Sequence, residues 1–177
     1  MTALSPHRGH PRLHSAPDLA SETFLLQRVQ PGLSGLMDGA LSTLAPIFAV
    51  VLATHHPLTA FYTGVATALG AGVSMAFSEG LSDTGEMTGR GNPVIRGAIT
   101  GGGTFLGGVL HTLPFLIPSY QTAIAAAVVI VAAELLLLGW LRHRFFNTSF
   151  VRSFVSVTLG GAIIAGLSSG LGVLAAG

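Results

Sequence analysis

Five long apolar stretches leave this chain very few ways to fold. They run from Leu36 to Thr54, Leu58 to Ser82, Ile95 to Ile117, Tyr120 to Leu141 and Val151 to Ala175. Each is close to the roughly 20 residues a helix needs to cross a hydrocarbon layer. Inside a bilayer no water serves the backbone N–H and C=O groups, so only helices and closed β-barrels can span it. A barrel requires segments of about ten residues that alternate apolar and polar, and continuous stretches such as Ile124 to Leu138 show no such alternation. The expected fold is all-α, an integral membrane bundle of five transmembrane helices. The transmembrane domain is expected over residues 31–177, behind a cytoplasmic tail and interfacial helix in residues 1–30.

Composition narrows the chemistry further. Only 8% of the 177 residues are charged and none is cysteine, so disulfides and thiolate metal sites are excluded. Any metal must be held by oxygen, imidazole or thioether. Eight arginines without a lysine give a net charge of +1, which offers no surface for nucleic acid. Neither a phosphate-binding G-x-x-x-x-G-K-[ST] loop nor the H-E-x-x-H or G-x-S-x-G motif of hydrolases is present, so an ATP-driven pump working alone and an enzyme are both disfavoured. Met1 to Ala20 is rich in Pro, His, Ser and Arg and reads as a tail in which His7, His10 and His14 are more often solvated than metal-bound. Leu19 to Gln30 mixes apolar and polar residues as an interfacial helix does, and Pro31 and Gly32 are expected to interrupt it.

The arginines set an orientation. Arg8, Arg12 and Arg28 precede the first run, Arg90 and Arg96 follow the second, and Arg142, Arg144 and Arg152 lie between the fourth and fifth. The alternate connections, around His55-His56-Pro57 and Pro118-Ser119, contain none. The positive-inside rule then places the N-terminus in the cytoplasm and the C-terminus outside, and a bacterial inner membrane is the expected location. Arg142, His143 and Arg144 are expected to anchor that interface against anionic headgroups. The spacings Gly35/Gly39, Gly97/Gly101, Gly103/Gly107 and Gly166/Gly170 fit close helix packing within the bundle or across a homodimer.

Acids inside such runs are costly and point to function. Counting outward from the turn at His56-Pro57, Asp38 and Met75 each lie about 18 residues away, which at ~1.5 Å per residue gives them one depth. Glu79 follows Met75 by one turn on the same face, about 6 Å nearer the cytoplasm. Two carboxylates and a thioether are thereby expected to converge as metal ligands; the competing reading is a helix-capping Asp38 and a Glu79 that snorkels to the headgroups with Asp83 and Glu86. Pro46, two turns after Asp38, is a site for a kink that would open a cavity. Glu134, about two turns from the cytoplasmic end of the fourth run, and His111, toward the outer end of the third, are candidate proton-path residues. For Glu134 a pairing with Arg96 competes, and for His111 a hydrogen bond between helices. Asp83, Glu86 and Met87 form a candidate site of metal capture in the short connection from Asp83 to Pro93, where an ordinary solvated loop is the alternative.

Two segments carry a resemblance. Met37-Asp38-Gly39-Ala40-Leu41-Ser42-Thr43 and Gly70-Ala71-Gly72-Val73-Ser74-Met75-Ala76-Phe77-Ser78-Glu79 resemble the vacuolar iron transporter family. Leu81-Ser82-Asp83, Thr88-Gly89-Arg90-Gly91 and His111-Thr112-Leu113-Pro114 are similar to the transporter half of bacterial membrane-bound ferritins. The resemblance implies a dimeric ferrous or manganous ion/proton antiporter that exports metal from the cytoplasm, with Asp38, Met75 and Glu79 on the metal path. It implies no permanently bound cofactor; Fe²⁺ or Mn²⁺ is cargo, and the partners are lipid, protons and a second copy. The sequence departs from the family in having only a short connection after the second helix and no acidic residue between Arg28 and Met37, and no ferritin-like domain is expected within these residues. A non-transporting membrane assembly protein is the alternative function.

Overall fold

The computed structural model describes residues 16–146 and 148–175, with side chains described from residue 20 onward. His7, His10 and His14, with Arg8 and Arg12, lie outside the described residues. The elements are α1 (Ala16–Phe24), a π-turn (Leu25–Val29), α2 (Gln30–Thr54), α3 (Pro57–Gly80), α4 (Pro93–Leu110), a 3-10 turn (Leu113–Leu116), α5 (Tyr120–Phe146) and α6 (Phe150–Ala175). No strand occurs among the described residues. Four helices, Ala20–Thr54, Pro57–Gly80, Tyr120–Phe146 and Phe150–Ala175, are long and apolar enough to cross a membrane. With α4 packed among them they form an all-α membrane bundle of five helices.

The expected break at Pro31 and Gly32 does not occur. The chain is helical from Ala16 through Thr54, and Gln30 N–H bonds back to Leu25 O in the wider π geometry. That extra residue in the turn gives the Pro31 ring, which has no N–H to donate, room inside a continuous helix. α2 also continues through Pro46 as one helix. It ends where His55 turns left-handed (φ 54°) and donates its N–H to Val51 O, followed by an extended His56 and Pro57 opening α3.

The third apolar run is shorter than expected. Asn92 caps α4, its Oδ1 accepting from Val94 N (2.9 Å) and Ile95 N (3.2 Å). The helix stops at Leu110, and Pro114 fixes the 3-10 turn that completes the crossing. Glycine and threonine dilute the apolarity of α4 on the faces it packs against α2 and α3, while Leu106 and Leu110 stay exposed. A methyl group on Gly35 or Gly39 would run into the Thr100 or Thr104 carbonyl, and one on Gly107 into Leu36 O. Gly97 and Gly101 meet Ala76 and Gly72 of α3 in the same way. The backbones of α2, α3 and α4 thus touch, as small-residue membrane interfaces do. Three of the four glycine spacings are used inside the chain, whereas Gly166 and Gly170 on α6 face open space.

Candidate functional site: a lone carboxylate and two ionic clusters

The α2–α3 hairpin sets the depth of the predicted metal ligands. Ile47 packs where a side chain on Gly64 would lie, so Asp38, nine residues before Ile47, is level with residue 73. Met75 is then about 3 Å from Asp38 in depth and Glu79 about 9 Å. Asp38 is half-buried on α2 and forms no hydrogen bond or ion pair among the described residues. One turn further along the same face, the Ser42 hydroxyl is buried without a partner. Met75 is also half-buried. Among the described residues no three His, Asp or Glu side chains gather around one point.

Glu79 is held elsewhere. Its Oε1 accepts from Arg96 Nε and, at 2.6 Å, from Arg90 Nη2. Arg96 is 1% exposed. Its Nη2 also reaches Glu79 O (3.2 Å), Ser82 Oγ (3.1 Å) and Asp83 Oδ1 (3.4 Å). Asp83 completes the cluster through Arg90 Nη1 and the Thr88 hydroxyl, both at 3.2 Å. Desolvation pushes the Asp83 carboxyl up, but the Gly85 N–H, Arg96, Thr88 and Arg90 outweigh it and hold the group below its ordinary value. Two acids and two guanidinium groups leave the cluster neutral. Arg90 lies between Gly89 (φ 67°) and Gly91 (φ 72°), whose left-handed backbone lets the loop fold back onto α3. Gln27 of the π-turn closes the loop by donating to Gly89 O at 3.0 Å. Of the proposed capture residues, Asp83 is committed to this cluster, while Glu86 and Met87 are exposed on the loop surface.

A second cluster sits deeper. His111 Nδ1 lies 2.9 Å from Glu134 Oε2, and His111 Nε2 lies 2.7 Å from Thr43 Oγ1. Thr43, His111 and Glu134 are all buried. Glu134 therefore pairs with His111 and not with Arg96. Arg96 is in the first turn of α4, about 22 Å along the chain axis from His111, and α5 extends to Phe146, which places Glu134 mid-helix. Thr43 Oγ1 also reaches Gly39 O at 2.8 Å. When the Thr43 hydroxyl donates to that carbonyl, it accepts from Nε2–H, and one further proton lies between Nδ1 and the Glu134 carboxyl, leaving the pair neutral. When it donates to Nε2 instead, Nδ1–H faces a charged carboxylate. The direction in which that hydroxyl points thus goes with the tautomer of the imidazole. Sequence reading missed Thr43 here; its position in the Asp38 motif was the only signal.

A family model described as the VIT family matches residues 79–173, more than half of the chain. The chain belongs to the VIT family, the vacuolar iron transporters. No curated protein and no solved structure matches it. Membership makes it a membrane protein of a metal-ion transport family, one of transporters rather than enzymes. Glu79, Asp83, His111 and Glu134 fall inside the matched VIT stretch, whereas Asp38 and Met75 precede it.

Proposed function

We propose that this VIT-family protein exports Fe²⁺ or Mn²⁺ from the cytoplasm in exchange for protons, as a homodimer whose N-terminus is cytoplasmic and whose C-terminus lies outside. The observation that carries this reading is Asp38, a carboxylate inside a membrane-spanning helix with no partner among the described residues. An unpaired carboxylate at that depth is costly unless a cation, a proton or a polar cavity serves it. Met75, nearly level with it, adds a thioether, which favours borderline transition metals over Mg²⁺ and Ca²⁺.

Glu79 serves as the cytoplasmic station of the same path. A divalent ion reaching it must displace a guanidinium, and Arg90, partly exposed on a glycine-flanked loop, moves more readily than the enclosed Arg96. Arg90 thereby acts as a tethered cation that occupies the acid until metal arrives. The Thr43–His111–Glu134 triad is the proton site, separate from the metal ligands. The open Gly166/Gly170 face supports α6 as a surface for the second copy.

Reconstitution into liposomes tests the proposal. Asp38→Asn keeps the side-chain volume and removes the charge, so metal-driven proton flux should fall to background while the protein still inserts. Met75→Leu should keep transport but lower the ratio of Fe²⁺ to Mg²⁺ flux, with a packing cost below about 1.5 kcal/mol. Wild-type flux in Asp38→Asn would sink the assignment.

A further inference from the structure

Two cavities open side by side at the arginine-rich end of the bundle. One, of about 560 Å³, lies between the α5–α6 connection and the first turns of α6, with Arg142, Arg152, Ser149, Ser153 and Ser156 in its wall. The other, of about 470 Å³, shares Arg142 and Thr148 with the first and runs between α2, at Gln30, Leu33, Ser34 and Met37, and Phe146 at the end of α5. A polar compartment therefore adjoins a largely apolar one.

Charge in the polar compartment is unbalanced. Neither Arg142 nor Arg152 forms an ion pair among the described residues. The hydroxyls around them are fixed: Ser153 Oγ and Thr148 Oγ1 bond each other at 2.7 Å, and Ser149 Oγ accepts from Arg152 N at 3.3 Å. Of the neighbouring basic side chains, His143 is held at the rim by its Nδ1 contact to Thr148 O, and the Arg144 guanidinium lies 6.0 Å from the Phe145 ring centre. Two uncompensated guanidinium groups in a recess seek a polyvalent oxyanion, and their planar forks match phosphate oxygens. A free phosphate would use only the polar compartment. The apolar trough that continues from it has the chemistry of acyl-chain contact.

We propose that this double cavity binds one anionic phospholipid, its phosphate between Arg142 and Arg152 and a chain along Leu33, Met37 and Phe146. The basis is distinct from the general attraction of arginines to a membrane surface, because it assigns the contact to Arg142 and Arg152 and excludes Arg144.

Native mass spectrometry of the purified full chain tests this, with phosphatidylglycerol and phosphatidylcholine offered together and inorganic phosphate added in a parallel arm. Each arginine near an anionic headgroup contributes about a fivefold preference, so Arg142→Gln/Arg152→Gln should lower retention of phosphatidylglycerol roughly thirtyfold. Arg144→Gln should leave it unchanged, and Arg142→Lys/Arg152→Lys, which keeps the charge but loses the fork, should retain only part of it. An unchanged melting profile of the glutamine double variant separates lost binding from lost folding. Equal retention of the two lipids by the wild type, or loss in Arg144→Gln equal to that in the double variant, would overturn the site. Phosphate that displaces phosphatidylglycerol at millimolar concentration would reassign it to a soluble anion and overturn the lipid occupant.

Discussion

The two ionic clusters hold their acids in opposite ways. At the end of α3, Glu79 is gripped by two guanidinium groups, and a second acid, Asp83, balances the charge. Midway along α5, Glu134 has one imidazole, itself backed by a threonine hydroxyl. Guanidinium does not release its proton at any working pH, so the first cluster fixes charge. An imidazole carries no such fixed charge, so in the second the hydrogen-bond directions depend on which ring nitrogen holds the proton. Acids in one bundle thus differ in the kind of partner that holds them, guanidinium at one and imidazole at the other.

The largest effect should come from breaking the first cluster. Arg96→Met leaves Glu79 and Asp83 sharing the partly exposed Arg90, so the cost should fall at or below the low end of about 3–5 kcal/mol, the range for breaking a fully buried ion pair. Thermal unfolding in detergent should show that loss. Arg96→Lys should recover only part of it, since an ammonium cannot donate to Glu79, Ser82 and Asp83 in the forked geometry. Wild-type stability in Arg96→Met would show that Glu79 is not held there.

A smaller effect should distinguish the second cluster. His111→Phe strands a buried carboxyl at a cost of about 1–3 kcal/mol, and adding Glu134→Leu should return most of that stability, because removing both partners leaves nothing unpaired. Removing Glu79 together with Arg96 should likewise recover stability, since Asp83 and Arg90 remain paired at 3.2 Å. If the His111/Glu134 double variant were as unstable as the sum of its singles, the two groups would not be coupled.

The smallest effect should come from acid. Asp83, held below its ordinary value, stabilises the loop above the unfolded-state carboxyl pKa of about 3.9 and loses that contribution as pH falls through its lower folded value. Hydrogen exchange in residues 83–91 should accelerate below that range in the wild type. Asp83→Asn should exchange rapidly at neutral pH already, with the acid-dependent step diminished.

Much of the fold was legible because helix formation in a bilayer is a local matter. Every backbone group must be satisfied within a few residues, so apolar length announces each helix. The misreadings fall where that locality fails. Pro31 reads as a break, but a single π-turn relieves it; the third run reads as one helix, but Pro114 and the turn at His111 and Thr112 divide it. For the site, the sequence placed Asp38 and Met75 near one depth, because both are counted from one short turn. It did not reveal the arginines on Glu79, since Arg90 arrives on a loop whose fold-back depends on glycines with positive φ and on Gln27 some sixty residues earlier.

The sequence by itself determined that this chain is an apolar helical bundle, that its arginines fall in alternate connections, and that Asp38 carries an acid into a span. These follow from length, composition and spacing, which act over one or two turns. Only the tertiary structure decided which partner each acid receives. Arg96 lies far from Glu134 and against Glu79; His111 and Glu134, 23 residues apart, meet because α4 stops short and α5 runs long. Side-chain ions interact over a few ångströms, and such distances between different helices are set by glycine-to-backbone packing that no single helix encodes.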